Sequence, residues 1–399
     1  MYRVRVWWST PPSRRASAGS ACPLRPDPGA AAPKPGTAAT GRVLIISGSV
    51  GAGHDGAAHE LAARLRRAGV HVDVRDYLQA LPAPCRVVLR DGYTASVGYV
   101  PWMFEWVFTS IECQPVVQRL TLAFCRVADR VVRRWVEHGR YDAVVSTYPL
   151  ASQTLGGLKA RGCISGPLVT YLTDPAAHRT WVHEHVDVHL TATAATAAQG
   201  GTDYGLVMRT AGPLVPARFA TRPPAAVLRA LRVELALPED RPIGLVVAGS
   251  LGLGQVQDTA AHLVREGLSA LVLCGRNEQL LARIQALPGA TALGWRADMH
   301  HLMHLADVLV HNAGGLSFTE ALVAGLPAVS YRCIPGHGRA NAAVLERAGL
   351  APWARDESEF GRAVAAQLTR GRLDTTHQDP AELVLALLPT GRGRTHAAA

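Results

Sequence analysis

Residues 43–56 read Val-Leu-Ile-Ile-Ser-Gly-Ser-Val-Gly-Ala-Gly-His-Asp-Gly, a stretch that sharply limits what this chain can fold into. Val43–Ile46 is an apolar run long enough for one buried strand. Glycines follow at 48, 51, 53 and 56, and then Ala57, Ala58, Leu61, Ala62 and Leu65 recur at helical spacing. A strand, a glycine loop and a helix start together build an anion pocket. The glycines let the backbone turn tightly and approach a phosphate, and the unpaired N–H groups of the first helical turn point at it. His54 falls where the helix begins. The positive end of the helix dipole disfavours imidazolium there, so a neutral, proton-accepting imidazole is expected.

The same alternation continues along the chain. Apolar runs at 70–74, 141–146, 168–174, 186–190, 206–209, 243–248, 270–274, 292–295, 307–310 and 328–331 alternate with helical patterns, which predicts parallel α/β architecture. A length of 399 residues suggests two domains. Glycine loops recur at strand ends in the second half, at 249–254 and 314–315. Residues 93–136 differ. Tyr99, Trp102, Phe104, Trp106, Phe108 and Ile111 crowd together, followed by one long helical stretch over 119–136 carrying Arg126, Arg130, Arg133 and Arg134. Two readings stand: a helix pair packed on the sheet, or an interfacial patch with aromatics at lipid headgroups and arginines on anionic lipid.

The net charge of +10 resembles a nucleic-acid signal, but residues 1–42 hold seven basic residues against Asp27 alone. Lys34 and Lys159 are the only lysines, so the excess is arginine. The seven cysteines are scattered with no C-x-x-C pair, which argues against a disulfide framework or zinc ribbon and fits a reducing compartment. No apolar run reaches the roughly 18 residues of a spanning helix, and the N-terminus lacks the apolar core of a secretory signal.

Gly51-x-Gly53-x-x-Gly56 formally matches a dinucleotide fingerprint, with Asp76 at the spacing of a ribose-binding acid. That match is weak in a chain with 38 glycines, and it leaves the loops of the second half unexplained. Residues 307–327 are more specific. Gly314 and Gly315 open a helix, and Glu320 lies one turn in, where a carboxylate can accept two ribose hydroxyls while the helix N-terminus faces a diphosphate. The alternative is a solvated helix glutamate. His183, His185 and His189, and likewise His300, His301 and His304, lie close in sequence; the i, i+3 pair His301/His304 could share a helix face, but no carboxylate or cysteine stands at ligand spacing beside it, and no metal site is expected.

Taken in order, SGSVGAGH (47–54), VVST-x-P (144–149), YLTD (171–174) with His178 and Trp181, VAGSLGLG (247–254), LCGRNEQL (273–280), LGWRADMHHLM (293–303), AGGLSFTEALVAGLP (313–327) and PGHGRAN (335–341) form an ordered set. Over residues 41–350 the chain resembles the GT-B glycosyltransferases that make glycolipids. It is most similar to the monogalactosyldiacylglycerol synthase group and more distantly to the peptidoglycan lipid II synthase. The resemblance implies an α/β GT-B fold, with two Rossmann-like domains facing each other across a cleft. It implies an acceptor and membrane-side domain at 41–214 and a nucleotide-sugar domain with C-terminal helices at 242–389. Composition adds a tail at 1–40, rich in Pro, Ala, Ser and Arg, expected to be disordered or an over-called start, a proline-marked linker with one short helix at 215–241, and a frayed tail at 390–399.

The resemblance makes His54 the general base. It assigns donor contacts to Gly51, Ala52, Gly53, Ser250, Gly275, Asn277, Trp295, Arg296, Gly314, Gly315, Leu316, Ser317, Phe318, Thr319, Glu320, His337 and Asn341. Acceptor or cleft positions fall at Tyr148, Asp174, His178, Trp102 and Trp106. Tyr148 replaces the histidine of the family's S-x-H-P, Val215 stands where arginine commonly follows G-x-P with Arg218 nearby, and His337-Gly338 replaces Gln-Glu. The implied activity is inverting transfer of a hexose from a UDP-sugar to a lipid, diacylglycerol foremost, with no cofactor and no metal. The implied partners are the UDP-hexose, the lipid acceptor and the inner face of the cell membrane, met through 93–135 by a cytoplasmic, peripheral protein; no nucleic acid is expected. Open alternatives are a polyprenyl-linked or secondary-metabolite acceptor, a UDP-sugar epimerase of the same fold, and a nucleotide- or nucleic-acid-binding regulator.

Overall fold

The computed structural model describes residues 41–247, 249, 252–373 and 377–389, and omits the side chains of 93–96, 98 and 99. The expected tails at 1–40 and 390–399, Ser250 and the side chain of Tyr99 lie outside the described residues.

The first half runs β1 (Arg42–Ser47), α1 (Ala52–Arg67), β2 (His71–Asp76), α2 (Ala83–Tyr99), α3 (Pro101–Cys113), α4 (Pro115–Cys125) and α5 (Asp129–Gly139). It continues through β3 (Ala143–Ser146), α6 (Pro149–Ala160), β4 (Leu168–Leu172), β5 (Val188–Thr191), α7 (Ala194–Tyr204) and β6 (Met208–Thr210). The second half runs α8 (Ala225–Glu234), β7 (Ile243–Val247), α9 (Val256–Arg265), β8 (Ser269–Leu273), α10 (Glu278–Gln285), β9 (Ala290–Leu293) and α11 (Met299–Leu305). Then come β10 (Val308–His311), α12 (Gly315–Val323), β11 (Ala328–Tyr331), α13 (His337–Arg347), β12 (Trp353–Ala354), α14 (Glu357–Arg370) and α15 (Pro380–Leu385).

All pairings are parallel, in two six-stranded sheets of order β2-β1-β3-β4-β5-β6 and β12-β11-β10-β7-β8-β9. Period-two alternation explains why the strand runs are apolar throughout. Val43 and Ile45 enter the core on one face of the first sheet, Leu44 and Ile46 the core on the other. Chain order reverses between β1 and β3 in the first sheet and between β7 and β10 in the second. In open α/β sheets the crevice beyond the strand ends at such a reversal is where ligands bind.

Two expectations need correction. The long helix over 119–136 is broken: a turn of 3₁₀ helix at Arg126–Ala128 separates α4 from α5. The region is a run of four helices rather than a pair: α5 buries Val132 and Val136 in the sheet core, and Leu89 of α2 and Phe124 of α4 pack partly buried against it. The segment expected as a linker with one short helix contains α8 and packs into the second half. Val215, Phe219, Leu228 and Leu231 pack with Leu245 and Leu309 in the core of the second sheet, because Leu228 and Leu231 give α8 an apolar face between the prolines. Finally, α15 returns to the first half. Ala381, Val384 and Leu388 pack with Val43 and Leu61, and the Arg64 guanidinium bonds Asp379 at 2.9 Å and the Val215 carbonyl at 2.5 Å.

Candidate active site

The loops after β1, β7 and β10 converge on one cavity of about 540 Å³, within the range of small-molecule sites. From the first half it is lined by Gly51, Ala52, Gly53, His54, Thr173 and Asp174. From the second it is lined by Gly249, Gly275, Trp295, Arg296, Gly314–Ser317, Glu320 and His337, together with Arg218. The helices α1 and α12 meet start to start: a Cβ on Gly53 would lie 3.6 Å from Cβ of Leu316. Gly315 is tighter still, since a Cβ there would fall 2.3 Å from the Thr173 carbonyl oxygen. Glycine is therefore demanded by closeness across the cleft. The N-cap of α12, Gly314, brings no side-chain cap, so the first N–H groups of that helix are available to an anion.

His54 sits in the first turn of α1, half-buried. Its Nδ1 lies 3.0 Å from the Thr147 carbonyl oxygen and 2.9 Å from Thr173 Oγ1. A carbonyl only accepts, so Nδ1 carries the hydrogen and Nε2 the lone pair, the form a base requires. Burial holds the imidazole below its ordinary pKa, against the opposing influence of Asp174, the Thr147 carbonyl and Asp55. The neutral imidazole expected from sequence thus has burial as its main cause. Tyr148 lies edge-on to the His54 ring at 5.1 Å.

Across the cavity, burial raises the Glu320 carboxyl to a pKa of about 8, with Arg218 opposing the shift. Ala313, immediately before α12, has φ +71°, a left-handed conformation rare outside glycine and concentrated at functional sites. It is held by its own N–H donating to His311 Nδ1 at 3.2 Å and by Asn341 Nδ2 donating to its carbonyl at 3.0 Å.

A family model described as monogalactosyldiacylglycerol (MGDG) synthase matches residues 54–203. A processive diacylglycerol β-glucosyltransferase of Bacillus subtilis is 24% identical over 348 residues, covering 84% of this chain and 89% of that protein. The Bacillus mycoides protein of the same description is 24% identical over 329 residues, covering 80% and 83%. Among solved structures, Acinetobacter baumannii MurG superposes with TM-score 0.53 at 17% identity, over 87% of this chain and 98% of that one. The glycosyltransferase of kitacinnamycin does so with TM-score 0.55 at 16% identity, over 88% and 100%. The chain is similar to the MGDG synthases and diacylglycerol glucosyltransferases, and it has the GT-B fold.

In this GT-B frame several expected site residues lie away from the cavity. Along α12 the helical period turns Leu316, Ser317 and Glu320 to the cleft, while Phe318 enters the core and Thr319 bonds back to the Gly315 carbonyl at 3.1 Å. Asn341 is fully buried. Besides holding Ala313, its Oδ1 accepts from Ala176 N–H at 2.9 Å and its Nδ2 reaches Asp174 Oδ1 at 3.4 Å, so it ties the halves together rather than facing a ligand. Asn277 caps α10 by accepting from Leu280 N–H at 2.9 Å. Tyr148 is buried behind His54 against Gly48, where a Cβ would meet its ring at 2.5 Å. His178 is buried, stacked on Phe108 at 3.9 Å. Trp102 and Trp106 stand on the outer surface of α3, 72% and 58% exposed.

Asp76, the acid of the dinucleotide fingerprint, is engaged by Ser49 Oγ at 2.6 Å and Leu78 N–H at 3.0 Å, outside the cavity. Val215 points into the core, and Arg218 reaches the cavity from the same segment. Sequence reasoning missed Thr173, although it adjoins Asp174. It also missed Asn312, whose Nδ2 donates to the Leu253 carbonyl at 2.9 Å and pins the 249–254 loop to β10. Among the described residues no group of three or more His, Cys, Asp or Glu side chains is placed to hold a metal ion.

Proposed function

We propose that this chain moves a hexose from a UDP-sugar to diacylglycerol with inversion at the anomeric carbon. One observation carries the reading: His54 and the bare N-terminus of α12 face a single cavity that also contains Glu320. His54 Nε2 takes the proton of the acceptor hydroxyl as its oxygen attacks the anomeric carbon, and the bond to UDP breaks on the opposite side. Base assistance of this kind is worth roughly 10²–10⁴ in rate. The leaving diphosphate meets the N–H groups of α12, and Glu320 accepts the ribose hydroxyls. The role of diacylglycerol follows the described activity of the Bacillus relatives.

The outer surface of α2–α4 supports a bilayer as the source of acceptor. Val87, Val88, Trp102, Trp106, Val116 and Leu120 are exposed there. Arg86, Arg90, Arg119 and Arg126 are exposed on the same run of helices. Apolar groups rimmed by arginine suit an anionic lipid surface. No described helix is long and apolar enough to cross a membrane. The test incubates the protein with UDP-glucose or UDP-galactose and vesicles of phosphatidylglycerol containing diacylglycerol, with lipid products read by mass spectrometry. A glycosylated diacylglycerol is expected, and Trp102→Ala with Trp106→Ala should weaken vesicle pelleting. UDP-sugar consumed without any glycolipid would overturn the acceptor assignment and favour an epimerase.

A further inference from the structure

The helix α3 is turned inside out by the usual standard. Its tryptophans face outward, while Phe104, Glu105, Phe108 and Glu112 face inward, as the helical period requires. Neither carboxylate is left on the lipid side. Glu112 accepts from Arg179 N–H at 2.6 Å and from the Tyr204 hydroxyl at 2.7 Å, fastening the C-terminal end of α3 to the first half. Glu105 reaches the second half instead. Its Oε2 accepts from Gly336 N–H at 2.7 Å and lies 3.4 Å from the Arg339 guanidinium.

Gly336 is the N-cap of α13 and supplies no side chain of its own, so the carboxylate at this helix start comes from a residue 231 positions earlier. The fit is close: Gly336 has φ +66°, and a Cβ there would lie 2.8 Å from Phe104 and 3.0 Å from Phe108. The next residue is His337, which lines the cavity with its ring edge-on to Phe104 at 5.7 Å. Asn341 anchors α13 one turn further on, and Glu105 ties the residue immediately before His337.

We propose that Glu105 is a positioning residue that couples the lipid-facing surface of α3 to the sugar end of the cavity. The inference rests on the lipid-surface reading above. Seating Trp102 and Trp106 in lipid fixes α3, α3 fixes Gly336 through Glu105, and Gly336 sets His337. Coupling of this kind is reciprocal: whatever lipid does for the cavity, an occupied cavity does for lipid binding.

The test measures two quantities on the full chain with phosphatidylglycerol vesicles. Amide exchange over 336–342 is followed by mass spectrometry with and without vesicles, and vesicle affinity is measured with and without UDP. In the wild type, vesicles should slow exchange at 336–342 several-fold, and UDP should tighten vesicle binding by about fivefold or more. Glu105→Ala should lose both effects while keeping its vesicle affinity in the absence of UDP. Glu105→Gln, which retains an acceptor oxygen, should keep them. Vesicle-independent exchange at 336–342 in the wild type, or a Glu105→Ala protein still coupled, overturns the proposal. Failure of UDP to bind the wild type removes the proposed donor instead, and the exchange measurement still reads Glu105.

Discussion

The two sheets share a plan and end in different chemistry. Beyond β1 the first sheet presents a side chain, the imidazole of His54, held by Thr147 and Thr173. Beyond β10 the second presents backbone, the uncapped start of α12, with one carboxylate a turn further in. A group that must gain and lose a proton needs a tunable side chain. A diphosphate needs many weak donors at fixed positions, which main-chain amides supply without side-chain entropy. On the proposed function, the doubled fold divides the reaction, with proton transfer on one side and charge stabilisation on the other.

Substitutions on the two sides should therefore fail differently. His54→Ala should lower kcat by roughly 10²–10⁴ with UDP affinity unchanged; an equal loss of UDP affinity in calorimetry would erase the division. Gly315→Ala forces a methyl against the Thr173 carbonyl and should cost about 1–3 kcal/mol of packing, read as weaker UDP binding and a lower melting temperature. At pH 9, where Glu320 is ionised, Glu320→Gln should raise the KM for the UDP-sugar about tenfold, the scale of a hydrogen bond to a charged group.

The pH dependence sharpens that last expectation. A carboxyl with a pKa of about 8 is mostly protonated at pH 7 and becomes the better acceptor as pH rises. Donor affinity should thus increase between pH 7 and 9 in the wild type and stay flat in Glu320→Gln. Since burial holds His54 below its ordinary value, the acid limb of kcat/KM should fall below pH 6.5. The smallest effect belongs to Thr173→Val, which removes one of two contacts to Nδ1 and should lower kcat a few-fold with KM unchanged. Thr173→Ser should restore it.

What the sequence revealed was local. The runs Val43–Ile46 and Val308–Val310 and the glycines beside them announce strand, loop and helix because each signal lies within a dozen residues. What it concealed depends on distant packing. Nothing near Pro380 indicates that α15 rests on the first sheet, a placement fixed by Arg64 meeting Asp379. Asn341 belongs to a site-like motif, yet its amide is taken up by Ala176 and Ala313. Helical period alone separates Phe318 and Thr319 from Leu316, Ser317 and Glu320.

The contact between Gly315 and Thr173 has a consequence for inheritance. At that point the distance between the halves is measured by main chain against main chain, with no room for a side chain to vary it. A spacing set this way passes down with the fold itself, and the residues around it are free to drift.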